Sequence, residues 1–185
     1  GGRTLQSLRM TGPPLDRFPD WDGDGDCDIV TRNIGLFEGG VREVLTRALT
    51  HRTVRHELGI HLQDADGRFP RQSNLRWRGS VELDAPPWKR TEFMRRYLLG
   101  ELIGFGKFDG DARMDLAVVD RPDRVSVYLA GPEGYPAKPD LTIAIDPGWA
   151  VFPKDIDGDG RDDLVCADLG THEVTKVLFS REKRP

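Results

Sequence analysis

Two cysteines in 185 residues are too few for a disulfide framework. Cys27 lies in an acidic loop and Cys166 in a later apolar stretch, so the two are expected in different structural units and unpaired. Long apolar runs are missing as well. With 37% hydrophobic residues the chain has enough to bury a core, but no stretch approaches the length of a membrane span. No leader with a charged start and an apolar middle opens the sequence, as expected of a mature or truncated chain. Neither sign of charge dominates. A net charge of −4, gathered mainly in two Asp-rich loops, speaks against a nucleic-acid-binding stripe and against an acidic disordered tail. The groups Arg68, Arg71, Arg76, Arg78 and Lys89, Arg90, Arg95, Arg96, with Trp77 and Trp88 among them, are expected to be solvated strand faces.

Catalytic signatures are equally scarce. His56 and His61 flank Glu57 at a spacing of five with Gly59 between them, whereas a zinc-protease helix needs histidines at i and i+4. In a strand the two would point to opposite faces. His51 and His172 belong to no motif, no GxSxG elbow occurs, and neither cysteine carries a nucleophile signature. Most aspartates are accounted for as metal ligands, which leaves no acid–base pair. The expectation is that the chain is not an enzyme, and no catalytic residue is assigned.

What the chain does contain is one acidic loop written twice: DWDGDGDCD over 20–28 and DIDGDGRDD over 155–163, each running into a short apolar stretch. Carboxylates at alternate positions can converge on one hard cation, a backbone carbonyl adds a neutral oxygen, and glycines permit the tight curl. The proposed ligands are Asp20, Asp22, Asp24, the Asp26 carbonyl and Asp28 in the first copy, and Asp155, Asp157, Asp159, the Arg161 carbonyl and Asp163 in the second. Unit charges about 4 Å apart repel by several kcal/mol near a protein surface, and a divalent ion removes that conflict. Oxygen-only ligation and the number of ligands favour Ca2+. An EF-hand needs a bidentate Glu at its twelfth position followed by a helix. Here that position holds Thr31 or Cys166, in branched, strand-like surroundings.

A third, degraded copy runs from Lys107 to Asp115. It keeps Asp109, Asp111 and Asp115 as weaker ligands, with the Arg113 carbonyl, but has Lys107 at the first position and Ala112 where the others have glycine. This loop is expected to share the shape of the others and to hold calcium weakly or not at all.

The starts at 107 and 155 lie roughly 48 residues apart, the length of one four-stranded propeller blade. From 20 to 107 the gap is longer by about 39 residues, read as an insertion because 57–70 parallels 124–136. Val41, Val44, Leu45, Ala48 and Leu49 recur at helical spacing, predicting one short inserted helix. Strands are predicted near 5–10, 28–32, 57–62, 74–83, 96–105, 115–119, 124–129, 140–145, 163–167 and 173–179.

Loops and strands together resemble FG-GAP repeats, also called VCBS repeats, the calcium-loop blades of integrin α-subunit heads and of many bacterial secreted proteins. The resemblance spans 18–180 and implies an all-β chain of about three β-propeller blades, with calcium at the Asp loops. The expected division is 18–106 with an insertion at 35–56, then 107–154, then 155–185 completed by 1–17 or by strands outside this sequence. Three blades do not close a ring, so the chain is expected to be a segment of a larger propeller. The expected function is a calcium-binding, non-catalytic scaffold of a secreted or surface protein that binds a protein or glycan. Its expected location is extracellular, cell-surface or periplasmic, since such loops work where calcium is plentiful. The alternative is a calcium-dependent carbohydrate-binding or polysaccharide-active module in which Trp21, Trp77, Trp88 or Trp149 stacks on sugar.

Overall fold

The computed structural model describes residues 19–34, 53–82, 102–147, 149–168 and 173–178. These residues form three antiparallel sheets, with no helix among them. The first sheet holds β1 (Ile29–Ile34), β2 (Thr53–His61) and β3 (Leu75–Glu82) in that order. The second holds β4 (Ile103–Gly106), β5 (Asp115–Arg121), β6 (Arg124–Tyr128) and β7 (Leu141–Ala144), again in chain order. In the third, β9 (Asp163–Asp168) lies between β8 (Trp149–Lys154) and β10 (Glu173–Leu178).

Period-two alternation fixes which way the sheets face. In β3, Trp77 and Val81 are buried while Arg76, Arg78 and Ser80 are exposed; in β2, Val54, Leu58 and Ile60 are buried and Arg55 is exposed. β5 differs because Leu116, Ala117, Val118 and Val119 are all buried, the pattern of a strand covered on both faces. Accordingly β3 packs against β5, and β8 against β4 and β5, so the second sheet is the filling between the other two. One apolar core joins Leu58 and Trp77, Leu116 and Val125, and Val151 and Leu164. A smaller core places Trp21, Val30 and Ile60 against Phe105, Met114 and Tyr135. Full burial of such side chains contributes roughly 1.5–3 kcal/mol each.

The three nine-residue loops lie on one rim of this array, since each opens into β1, β5 or β9 at the same end. At the opposite rim β1 ends and β2 begins, β3 ends and β4 begins, and β5 and β6 are joined through 122–123.

Nine of the strands lie where sequence reading predicts them, with two changes of extent. The stretch predicted as 96–105 is strand only from Ile103 among the described residues, and β2 begins at Thr53, inside the segment read as insertion. The tenth strand, β8, is not among the predicted ones. Pro153 is tolerated because, among the described residues, β8 is paired only to β9, so its missing N–H interrupts no second ladder there. The sheets also divide the chain one strand earlier than the loop starts do: β4 and β8, which lead into loops, pair with the strands that follow those loops. The predicted helix over Val41–Leu49 and the predicted strand near 5–10 fall outside the described residues.

Candidate metal loops

In the first loop Asp20 turns its carboxylate inward. One oxygen accepts the Gly23 N–H at 2.8 Å and the other the Gly25 N–H at 3.2 Å. Asp24 accepts the Asp26 N–H at 2.9 Å. Gly23 and Gly25 adopt φ values of 81° and 96°, left-handed conformations that are costly for other residues. This curl brings one oxygen each of Asp20, Asp22 and Asp28 within 4.8 Å of one another. Asp24, the remaining carboxylate of the proposed set, lies outside that group.

The third loop repeats the pattern. Asp155 accepts the Gly158 N–H at 2.7 Å and the Gly160 N–H at 3.1 Å, and Gly158 and Gly160 have φ of 79° and 85°. Oxygens of Asp155, Asp157 and Asp159 come together within 4.8 Å. Asp163 is outside this group. The Arg161 N–H and guanidinium both bond Asp159 and hold its carboxyl below the ordinary range, the backbone bond being the larger cause.

The second loop keeps the shape without its first carboxylate. Gly110 has φ of 84°, Asp109 accepts the Asp111 N–H at 3.0 Å, and Asp111 accepts the Arg113 N–H at 2.8 Å. Lys107, however, has no oxygen to offer the amides at 110 and 112. The Arg113 guanidinium pairs with Asp111 and also donates to the Ala130 carbonyl at 2.9 Å. Among the described residues Asp109, Asp111 and Asp115 do not converge as the other two sets do. The donor sets of the first and third loops, all carboxylate oxygen, fit a hard divalent cation. The second, already neutralised by its own arginine, does not.

The ninth-position aspartates have a task that sequence reading missed. Asp28, Asp115 and Asp163 are buried. Each accepts the backbone N–H at position two of its own loop: Trp21 at 2.7 Å, Phe108 at 2.8 Å and Ile156 at 3.0 Å. The second oxygen of Asp28 accepts the Gln63 N–H at 2.9 Å, and that of Asp115 the Ala130 N–H at 2.8 Å. Gln63 and Ala130 are equivalent in the parallel between 57–70 and 124–136, so the signal was present in the repeat itself. Burial raises the Asp28 carboxyl above its ordinary value and pushes that of Asp115 up to about 6, against the lowering effect of these amides.

Adjacent loops are also stitched to each other. The Met114 N–H bonds the Trp21 carbonyl at 2.9 Å, and the Asp162 N–H bonds the Lys107 carbonyl at 2.8 Å. Asp162 accepts the Lys107 N–H at 2.8 Å in return. A Cβ built on Gly23 would overlap the Ala112 Cβ, and one on Gly110 would lie 3.0 Å from the Arg161 side chain. Two of these glycines are thus required twice over, by conformation and by the neighbouring loop.

Away from the loops, Arg32 is buried and its Nε donates to His56 Nε2 at 2.7 Å. Burial, and then the guanidinium, lower the His56 pKa to about 3, which keeps the ring neutral. No sequence motif marks this pair. Near it a cleft of about 690 Å³ opens between the first two sheets, with Arg55, Arg121, Arg124, Asp120 and Tyr128 among its lining. Of the tryptophans proposed to stack on sugar, Trp21 and Trp77 are buried, and Trp149 packs on the core. Trp88 falls outside the described residues. Arg76 and Arg78 sit on the exposed face of β3 beside Glu57, the solvated face that was expected.

Residues 107–166 match the FG-GAP-like repeat family. This segment contains the second loop, the strands β5 to β8, the third loop and the start of β9. No curated protein matches the chain.

Proposed function

With an FG-GAP-like repeat at 107–166 as the premise, we propose that this chain is a calcium-stabilised, non-catalytic scaffold of β-propeller blades from a secreted or surface protein. The observation that supports it most is the pair of converging carboxylate sets, Asp20, Asp22, Asp28 and Asp155, Asp157, Asp159, each in a loop that leads into a buried strand. Asp24, Asp163 and the carbonyls of Asp26 and Arg161 complete the proposed shells. Calcium supplies charge neutralisation there and no chemistry on a substrate. Asp109, Asp111, Asp115 and the Arg113 carbonyl form the matching site of the second loop, which Lys107 and Arg113 leave with little affinity. The scaffold acts outside the cytoplasm, at the cell surface or in the periplasm, as part of a larger propeller, and presents a surface to a protein or glycan. No helix among the described residues is long and apolar enough to cross a membrane.

Calcium titration of the chelator-stripped chain, with the melting temperature followed in parallel, tests the reading. Two ions bound and a raised melting temperature are expected. No heat of binding with an unchanged melting temperature would overturn it. The carbohydrate-module reading is not favoured in the form that relies on tryptophan stacking, since the cores already occupy Trp21 and Trp77.

A further inference from the structure

The loops that gather carboxylates also concentrate a reactive pair. Where glycine follows aspartate, the glycine nitrogen can attack the aspartate Cγ, expel water and close a five-membered succinimide. Water then opens the ring at either carbonyl. One route restores aspartate; the other leads the backbone through the side chain as isoaspartate, and the water lost in closure is regained. Glycine favours closure because it puts no Cβ beside the attacking nitrogen.

The chain holds six such pairs, at 22–23, 24–25, 66–67, 109–110, 157–158 and 159–160. In five of them the glycine N–H is already held. Asp20 accepts those of Gly23 at 2.8 Å and Gly25 at 3.2 Å, and Asp155 those of Gly158 at 2.7 Å and Gly160 at 3.1 Å. The Asp64 carbonyl accepts that of Gly67 at 2.8 Å. Before such a nitrogen can turn to attack, it must give up a bond worth about 0.5–1.5 kcal/mol, or about 1.5–3 kcal/mol where the acceptor is charged. Gly110 is the exception. Lys107 stands where the first and third loops have the accepting aspartate, and among the described residues no oxygen accepts the Gly110 N–H.

Asp109 and Gly110 are both exposed, so water reaches the ring. Asp109 accepts the Asp111 N–H at 3.0 Å, a bond that folds its side chain forward along the chain toward the Gly110 nitrogen. Asp22, Asp24, Asp157 and Asp159 make the same forward bond, so the N–H of the glycine is what sets the Asp109 pair apart. The amide at 112 also lacks the accepting aspartate, but there Asp111 is followed by alanine, whose Cβ hinders closure.

We infer that Asp109–Gly110 is the site at which this chain isomerises spontaneously to isoaspartate, and that Asp20 and Asp155 protect the equivalent pairs of the first and third loops. The product lengthens the backbone where a Cβ built on Gly110 would lie 3.0 Å from the Arg161 side chain, and so disturbs the join between the second and third loops. The inference rests on hydrogen bonds within the loops, independently of whether they hold calcium.

Ageing of the folded chain in warm neutral buffer with chelator gives the test, read by peptide mass mapping with isoaspartyl methyltransferase labelling. Isoaspartate is expected at Asp109 at least tenfold faster than at any of the other five pairs. In urea the six should react within a few-fold of one another, because the bonds that protect five of them are gone. Lys107→Asp, which supplies the missing acceptor, should slow Asp109 tenfold. Asp155→Ala should raise Asp157 and Asp159 toward the Asp109 rate while Asp22 and Asp24 stay slow. Isoaspartate absent from Asp109 or spread evenly over the folded chain overturns the inference, as does an unchanged rate in Lys107→Asp. A bias toward Asp109 that persists in urea overturns it too, since local sequence would then be the cause.

Discussion

The second loop and its two neighbours follow the same backbone course with different charges inside. In the first and third loops, Asp20 and Asp155 gather the amides of the curl and then converge with two further carboxylates. In the second, Lys107 gathers nothing and Arg113 neutralises Asp111. What survives in all three is the positive-φ glycine at position four and the buried aspartate at position nine. The difference separates two roles that the motif combines: positions four and nine shape all three loops, while carboxylates converge only where position one is aspartate, as Asp20, Asp22 and Asp28 or as Asp155, Asp157 and Asp159.

The largest effect that would sharpen this separation is removal of the ninth carboxylate. Asp115→Ala and Asp28→Ala each leave two backbone N–H groups without acceptors, at about 1–3 kcal/mol apiece. Urea denaturation in chelator should show losses of about 2–6 kcal/mol for both. Added calcium should widen the loss for Asp28→Ala alone; an equal widening for Asp115→Ala would show that the second loop is not distinct.

Calcium itself comes next. At a hundred times its Kd an ion that binds only the folded chain stabilises by about 2.7 kcal/mol. Asp20→Asn or Asp155→Asn should each reduce the stoichiometry by one, whereas Asp109→Asn should leave it unchanged.

Acidification probes the opposite rim and serves as the contrast to all three loops. The His56 pKa is lowered from 6.5 to about 3, so the unfolded chain takes up this proton first. Its contribution to stability is complete above pH 6.5 and is lost as the pH falls toward 3. Between pH 6.5 and 5 the loss is about 2 kcal/mol. His56→Gln should flatten that slope in thermal melts, with and without calcium alike; a slope that vanished only on calcium removal would place its origin in the loops.

The smallest change expected is in Lys107→Asp, which restores an acceptor for the amides at 110 and 112. It should add one ion per chain by titration and about 1 kcal/mol of stability. Unchanged stoichiometry would mean that Arg113, rather than Lys107, keeps the loop without an ion.

Much of this arrangement was legible because it is repetitive. Two intact Asp loops exposed the third, and the parallel between 57–70 and 124–136 located β2 and β6 together with the Gln63 and Ala130 amides that the buried aspartates hold. What stayed hidden depends on neighbours far apart in the chain. β8 contains Pro153, and only its pairing shows that, among the described residues, its other side has no ladder for the proline to break. Arg32 and His56 are separated by the whole 35–52 connection, and neither carries a motif. The ninth aspartate was read simply as a ligand because a carboxylate suits an ion and an amide equally well on paper. Its burial shows that amides claim it first.

The two rims differ in how much they permit. On the loop rim each nine-residue segment is measured against its neighbour, with Ala112 against Gly23 and Arg161 against Gly110, so a single inserted residue would displace two contacts at once. At the other rim the strand ends of β1 and β2, and of β3 and β4, are separated by far more sequence than the ends of β5 and β6. Variation in length therefore has one outlet in this architecture. That rim is where a foreign peptide or a tag could be spliced in while the array keeps its spacing.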